Sequence, residues 1–183
     1  MARRCIALLK GVNVGRANRI AMTDLRALLA GLGYQDVVTH LQSGNAVFTT
    51  TEPASAVRKS VEAGLARSGV IVPVVIRSHA GLAAAIEADP YSDIADDASK
   101  HLLGFFSGRP TAAALSAFEA LVQSKKPDPA ISGLHRIDGD HCYLWCPKGV
   151  LESLFGTIDW GKLGVTVTMR NFTTVSKLLA LSA

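Results

Sequence analysis

The order of its short apolar runs is what most constrains how this chain can fold. Residues 5–12 form a largely apolar run bounded by Gly11 and Gly15, as a buried strand would be. Thr23 then stands where a helix cap would, ahead of Leu25, Leu28, Leu29 and Leu32 at helical spacing, with Gly31 and Gly33 to close the helix. Residues 37–41 and 46–50 read as strands separated by Gln42-Ser43-Gly44-Asn45. Pro53 opens a second helix carried by Val57, Val61 and Leu65, and the β-branched run 71–76 is a fourth strand.

The same order then recurs. Ser78 caps an additional helix that ends before Asp89-Pro90, and Asp93, Asp96 and Asp97 mark an acidic, solvated connector. Beyond it, residues 102–107 are a strand and 112–122 a helix. Residues 134–138 and 140–146 form a hairpin across Asp138-Gly139, a type I′ signal. Residues 149–155 read as a short helix, 165–169 as a strand and 173–181 as a closing helix. The expected fold is therefore α+β, two consecutive βαββαβ (ferredoxin-like) units with an extra helix after each. The divisions fall at residues 1–78 for the first subdomain, 79–100 for a helical connector and 101–183 for the second. No sequence repeat accompanies this recurrence of pattern.

Composition narrows the function classes. The chain has 183 residues, 49% of them apolar, enough for buried cores at this length, and a formal charge of +4. That mild surplus favours anionic ligands weakly, without the clustering of a basic nucleic-acid patch. No apolar stretch reaches the ~20 residues that span a bilayer. No small-residue cleavage site follows the two N-terminal arginines, so a cytoplasmic protein is expected. Three cysteines (Cys5, Cys142, Cys146) are too few for a disulfide scaffold and are expected as reduced core residues in a monomer or weak dimer. Cys142 and Cys146 are not spaced as C-x-x-C and lack a matching His/Cys pair, so no metal is expected. No Gly-x-Ser-x-Gly, Walker A or G-x-G-x-x-G motif is present to name a reaction or a cofactor.

Several segments resemble a bacterial family, domain of unknown function 1697. They are Leu8-Leu9-Lys10-Gly11-Val12-Asn13-Val14-Gly15 with Asn18-Arg19 and Met22-x-x-Leu25, and Leu41-Gln42-Ser43-Gly44-Asn45 with Val47-Phe48. Two more follow, Tyr143-Leu144-Trp145-x-Pro147-x-Gly149 and Arg170-Asn171-Phe172-x-Thr174-Val175-x-Lys177-Leu178. The resemblance covers nearly the whole chain. It implies two α+β subdomains, the first ferredoxin-like, and brings no activity or catalytic residues. One departure is plain. Members often carry a Ser-Lys pair after the Pro-x-Gly segment, whereas Ser153 is followed here by Leu154.

Strand direction locates a candidate site. In a βαββαβ unit the loop after the first strand, the turn between the second and third, and the loop after the second helix share one sheet edge. That edge collects Gly11, Asn13, Gly15, Arg16, Asn18 and Arg19 with Gln42, Ser43, Gly44 and Asn45, beside residues 67–70. Glycines admit close backbone approach, amides and hydroxyls give directional hydrogen bonds, and the arginines attract anions. The same side chains serve equally to satisfy loop backbone. A secondary candidate joins Lys148 with Arg170, Asn171 and Thr174, where Asn171 or Thr173 caps the last helix. His40 borders the turn and could act as an acid or base. No carboxylate is evidently paired with it, although Asp36 is near in sequence, so an ordinary strand histidine is expected.

Two functional readings follow. The first is a small anionic or nucleotide-like ligand at the Gly11-to-Arg19 and Gln42-to-Asn45 edge. The second is a non-catalytic nucleic-acid or protein interaction module using the sheet face of Tyr143 and Trp145, flanked by His141. Exposure of that face would favour the second. A buried face beside a concave first edge would favour the first.

Overall fold

The computed structural model describes residues 2–15, 17–125, 127–128 and 132–183. Every residue from Cys5 to Leu9 is buried, as a continuous apolar run predicts. These residues form most of β1 (Arg3–Leu9). α1 (Met22–Gly31), β2 (Gln35–His40), β3 (Asn45–Thr50), α2 (Ala54–Arg67), β4 (Val74–Ser78) and α3 (His79–Glu87) follow. The first sheet is antiparallel throughout, in the order β2-β3-β1-β4. After a connector come β5 (His101–Phe106), α4 (Ala112–Ser124), β6 (Leu134–Asp138), β7 (His141–Trp145), β8 (Val167–Asn171) and α5 (Phe172–Leu181). The second antiparallel sheet runs β6-β7-β5-β8, position for position the same order as the first. The chain is thus α+β, with two four-stranded antiparallel sheets and five α-helices among the described residues.

Two compact units contain these sheets. The first runs to Ile86 and includes Lys177–Ala183; the second is Glu87–Ser176. In the first, Ala7, Leu9, Ala46 and Phe48 on one sheet face pack with Leu25 and Leu29 of α1 and Val57, Val61 and Leu65 of α2. Tyr34 stacks on Phe48 at 4.6 Å. Burying each such side chain contributes about 1.5–3 kcal/mol before chain entropy is set against it. In the second, Phe106, Cys142 and Leu144 meet Phe118 and Val122 of α4.

Four local expectations need correction. Residues 149–155 are not an α-helix: three 3₁₀ turns, Val150–Glu152, Leu154–Gly156 and Trp160–Leu163, occupy the stretch before β8. Ser153 Oγ takes up the Val150 carbonyl at 2.7 Å, and Gly156 approaches that carbonyl too closely for a Cβ. Phe155, Ile158 and Leu163 still reach the core. Thr23 does not cap α1; the cap is Ala21, with no side-chain hydrogen bond, because Asn13 already pins the chain at Ile20. The fourth strand starts at Val74 rather than residue 71, since Pro73 lacks an N–H and Ile71 donates instead to Asn18 Oδ1. In the β6–β7 hairpin Asp138 pairs with His141. Only Gly139 of the two intervening residues has positive φ (+59°), whereas type I′ requires both. Ser78 does cap α3, accepting from Gly81 N at 3.1 Å.

Candidate functional site

The register of the first sheet brings the two polar segments together. Leu8 near the end of β1 pairs with Asn45 at the start of β3, so the loop leaving β1 and the β2–β3 turn share an edge. Leu9 N donates to Gly44 O at 2.9 Å, and Gly44 (φ +77°) lies so close to β1 that an added Cβ would stand 2.8 Å from Leu9 Cβ. Asn13 is the hub. At φ +58° its Nδ2 donates to Ile20 O (3.0 Å) and Gln42 O (2.7 Å), while its Oδ1 accepts from Ile20 N (3.0 Å). Asn18 Oδ1 accepts from Ile71 N at 3.0 Å, binding the loop after α2 to the same edge.

An open cleft of about 490 Å³ results, lined by Asn13, Arg19, Ile20, Ala21, Asp24, Gln42, Ser68 and Val70. Three residues expected from the sequence therefore line it: Asn13, Arg19 and Gln42. Arg19 Nε is anchored on Gly15 O at 3.1 Å. Its two Nη atoms have no partner among the described residues, and neither has the Gln42 amide. The uncapped first turn of α1 begins at the lining residue Ala21. The other expected residues act differently. Asn45 is fully buried and holds its own turn through His40 O (2.8 Å) and Ser43 Oγ (3.0 Å). Gly11 and Gly15 take positive φ in the exposed loop. Arg16 lies outside the described residues. Ser68 and Val70 belong to the stretch 67–70 expected beside this edge, and both line the cleft. Asp24 was not anticipated; an acid in the first turn of a helix was the available signal.

Elsewhere the candidates disperse. Arg170 is buried, donating to Thr168 Oγ1 (2.9 Å) and Met169 O (2.7 Å), and burial lowers its pKa to about 10. Asn171, not Thr173, caps α5 by accepting from Thr174 N at 3.0 Å, and Thr174 is buried. Lys148 is exposed. Arg170 is thus turned inward rather than presented to a ligand beside Lys148. His40 keeps a lowered pKa through burial and then through the Lys177 charge. Tyr143 and Trp145 are 0% and 8% exposed. The Tyr143 hydroxyl lies 2.9 Å from His141 Nε2, and burial pushes its pKa up to about 12. Cys5, Cys142 and Cys146 are buried free thiols, and burial raises the pKa of both Cys142 and Cys146.

The second unit also holds a pair that sequence reading passed over. His101 Nε2 stands 3.2 Å from Asp89 Oδ1, both side chains 3% exposed. The imidazole stacks on Phe172 at 3.8 Å, with Trp145 edge-on at 6.3 Å. Burial lowers the His101 pKa, and Asp89 opposes that shift.

A protein-family model described as Protein of unknown function (DUF1697) matches residues 2–129. The chain is also similar to a solved structure, that of the conserved bacterial protein SP0830 from Streptococcus pneumoniae. The two share 18% identity and a TM-score of 0.74 over 100% of both chains, a likeness of fold. No curated protein matches. Among the described residues no helix is long and apolar enough to cross a membrane.

Proposed function

We propose, from the premise that the chain belongs to the DUF1697 family, that it binds a small anionic, nucleotide-like ligand in the cleft between the β1–α1 loop and the β2–β3 turn. The observation that carries this reading is the Arg19 guanidinium. It is held at Nε by Gly15 O and lies in a cleft that also takes in Gln42 and the start of α1. Its two Nη groups form a fork suited to a phosphate or carboxylate. Gln42 contributes an amide that can both donate and accept. Asn13 spends its amide on the loops and so positions the others. A volume of about 490 Å³ falls in the range of small-molecule sites. We read both sheets as ferredoxin-like, the second with its second helix replaced by 3₁₀ turns, and the cleft as the open edge of the first.

The interaction-module reading loses its support, because an aromatic platform must be exposed to stack bases and Tyr143 is fully buried. The test is a thermal-shift screen over nucleotides and phosphorylated metabolites. A ligand at ~100 times its Kd stabilises by about 2.7 kcal/mol, a shift on the order of 5–10 °C for a chain of this size. Arg19→Ala should abolish the shift while leaving the unliganded midpoint in place. A screen with no Arg19-dependent ligand overturns the reading.

A further inference from the structure

Resting on that reading, we propose that the ligand carries two separated anionic groups on either side of a hydroxyl-bearing core, as in a nucleoside or sugar bisphosphate. One anion sits at Arg19 and the other at Arg67. A second hollow of about 420 Å³ lies along the groove between α1 and α2, and it shares Asp24 and Ser68 with the cleft. The two hollows therefore adjoin at these residues. Small residues line the groove, Ala27 and Gly31 on α1 and Gly64 on α2, with the Leu28 side chain packed against Gly64.

Charge is distributed in order along these two adjoining hollows. Arg19 lines the first hollow, Asp24 and Ser68 the junction, and Arg67 the second. Arg67, in the last turn of α2, has no partner among the described residues. Among the described residues, Asp24 has only a 3.5 Å contact from Thr23 Oγ1. A carboxylate at the junction repels any anion placed there and accepts hydrogen bonds from hydroxyl groups. It disfavours an unbroken polyphosphate, whose charge would pass the junction. It admits a ligand whose charges lie at both ends and whose middle carries hydroxyls. Ser68 Oγ, which donates to Gly64 O at 3.5 Å, keeps its lone pairs for the same core.

The test is calorimetric titration of the full chain with AMP, ADP and adenosine 3′,5′-bisphosphate. The bisphosphate should bind at least about tenfold more tightly than either AMP or ADP, a difference of ~1.4 kcal/mol. Arg67→Ala should reduce the bisphosphate to the affinity of AMP without changing AMP itself. Arg19→Ala should weaken all three. Both arginines are exposed, so both variants should keep the wild-type unfolding midpoint. ADP binding as tightly as the bisphosphate, or an Arg67→Ala variant indistinguishable from wild type, overturns the inference. If Arg19 still governs AMP in that case, the single-anion cleft survives alone. If the wider screen yields no Arg19-dependent ligand, the cleft reading falls and this inference falls with it.

Discussion

Asn13 Nδ2 donates to the main-chain oxygen of Gln42 at 2.7 Å, a single side chain bridging the loop that leaves β1 and the turn that enters β3. The same amide closes the β1–α1 loop on Ile20 from both sides. Asparagine suits this place twice over: it tolerates the left-handed backbone (φ +58°) and offers donor and acceptor on one short side chain.

Asn13→Ala should therefore destabilise the protein by about 2–3 kcal/mol, combining lost hydrogen bonds with left-handed strain. Asn13→Gly retains the backbone freedom and loses only the amide, so it should cost less. Chemical denaturation of both variants separates the two contributions. Equal stability of wild type and Asn13→Ala would show that the bridge carries no energy.

Gly44 and Gly69 share the same φ, +77°, in different surroundings. A Cβ on Gly69 meets nothing within 4 Å, whereas one on Gly44 would stand 2.5 Å from Val12 Cγ2 and 2.8 Å from Leu9 Cβ. Gly69→Ala should thus cost about 1 kcal/mol of backbone strain. Gly44→Ala adds overpacking against β1, typically a further 1–3 kcal/mol. The difference between their denaturation midpoints reads the close approach alone, and a vanishing difference would contradict it.

How far the sequence reached follows from these same residues. The element order of the first unit was legible because β1 is one unbroken apolar run and α1 and α2 keep helical spacing. Alternating strand direction then set Asn13 and Gln42 at one edge. Ser68 was within reach, since it lies in the stretch 67–70 expected at that edge. Asp24 was not legible: its place in the cleft depends on where α1 begins, and that is decided by Asn13 holding Ile20 rather than by any capping residue. The 3₁₀ segment was misread as a helix because Val150, Leu154 and Phe155 are spaced apolar residues, while Ser153 and Gly156 divert the backbone. The His101–Asp89 pair is joined across an irregular connector, and no periodicity links its members.

Arg19 and Asn45 should part company in mutation. Arg19 is exposed and bonds only Gly15 O among the described residues. Arg19→Ala should change stability by ~0–1 kcal/mol and abolish anion affinity. Asn45 is fully buried with its amide on His40 O and Ser43 Oγ. Asn45→Ala should cost about 1–3 kcal/mol by leaving buried groups unpaired. It should weaken binding only through the turn that carries Gln42. Paired melting and titration measurements decide this, and a large stability loss in Arg19→Ala would reassign that residue to the fold.

Acidification should weaken the second unit through His101. Burial holds its folded pKa below the ordinary 6.5, and the nearby Asp89 carboxylate only partly opposes this. The unfolded chain therefore takes up the proton first. The neutral imidazole's contribution is fully present above about pH 6.5 and is lost as pH falls through that value toward the folded pKa. The slope for one histidine cannot exceed about 1.4 kcal/mol per pH unit. His40 shifts in the same direction, through burial and the Lys177 charge, so wild type carries both contributions. Denaturation of His101→Gln and His40→Gln between pH 7.5 and 5.5 separates them. Each variant should have a shallower slope than wild type, and the double variant the shallowest. Asp89 makes the sign informative. If its charge outweighed burial, the folded pKa would lie above 6.5 and mild acid would stabilise the wild type relative to His101→Gln. That outcome would reverse the assignment and make the pair a salt bridge rather than a neutral histidine stacked on Phe172.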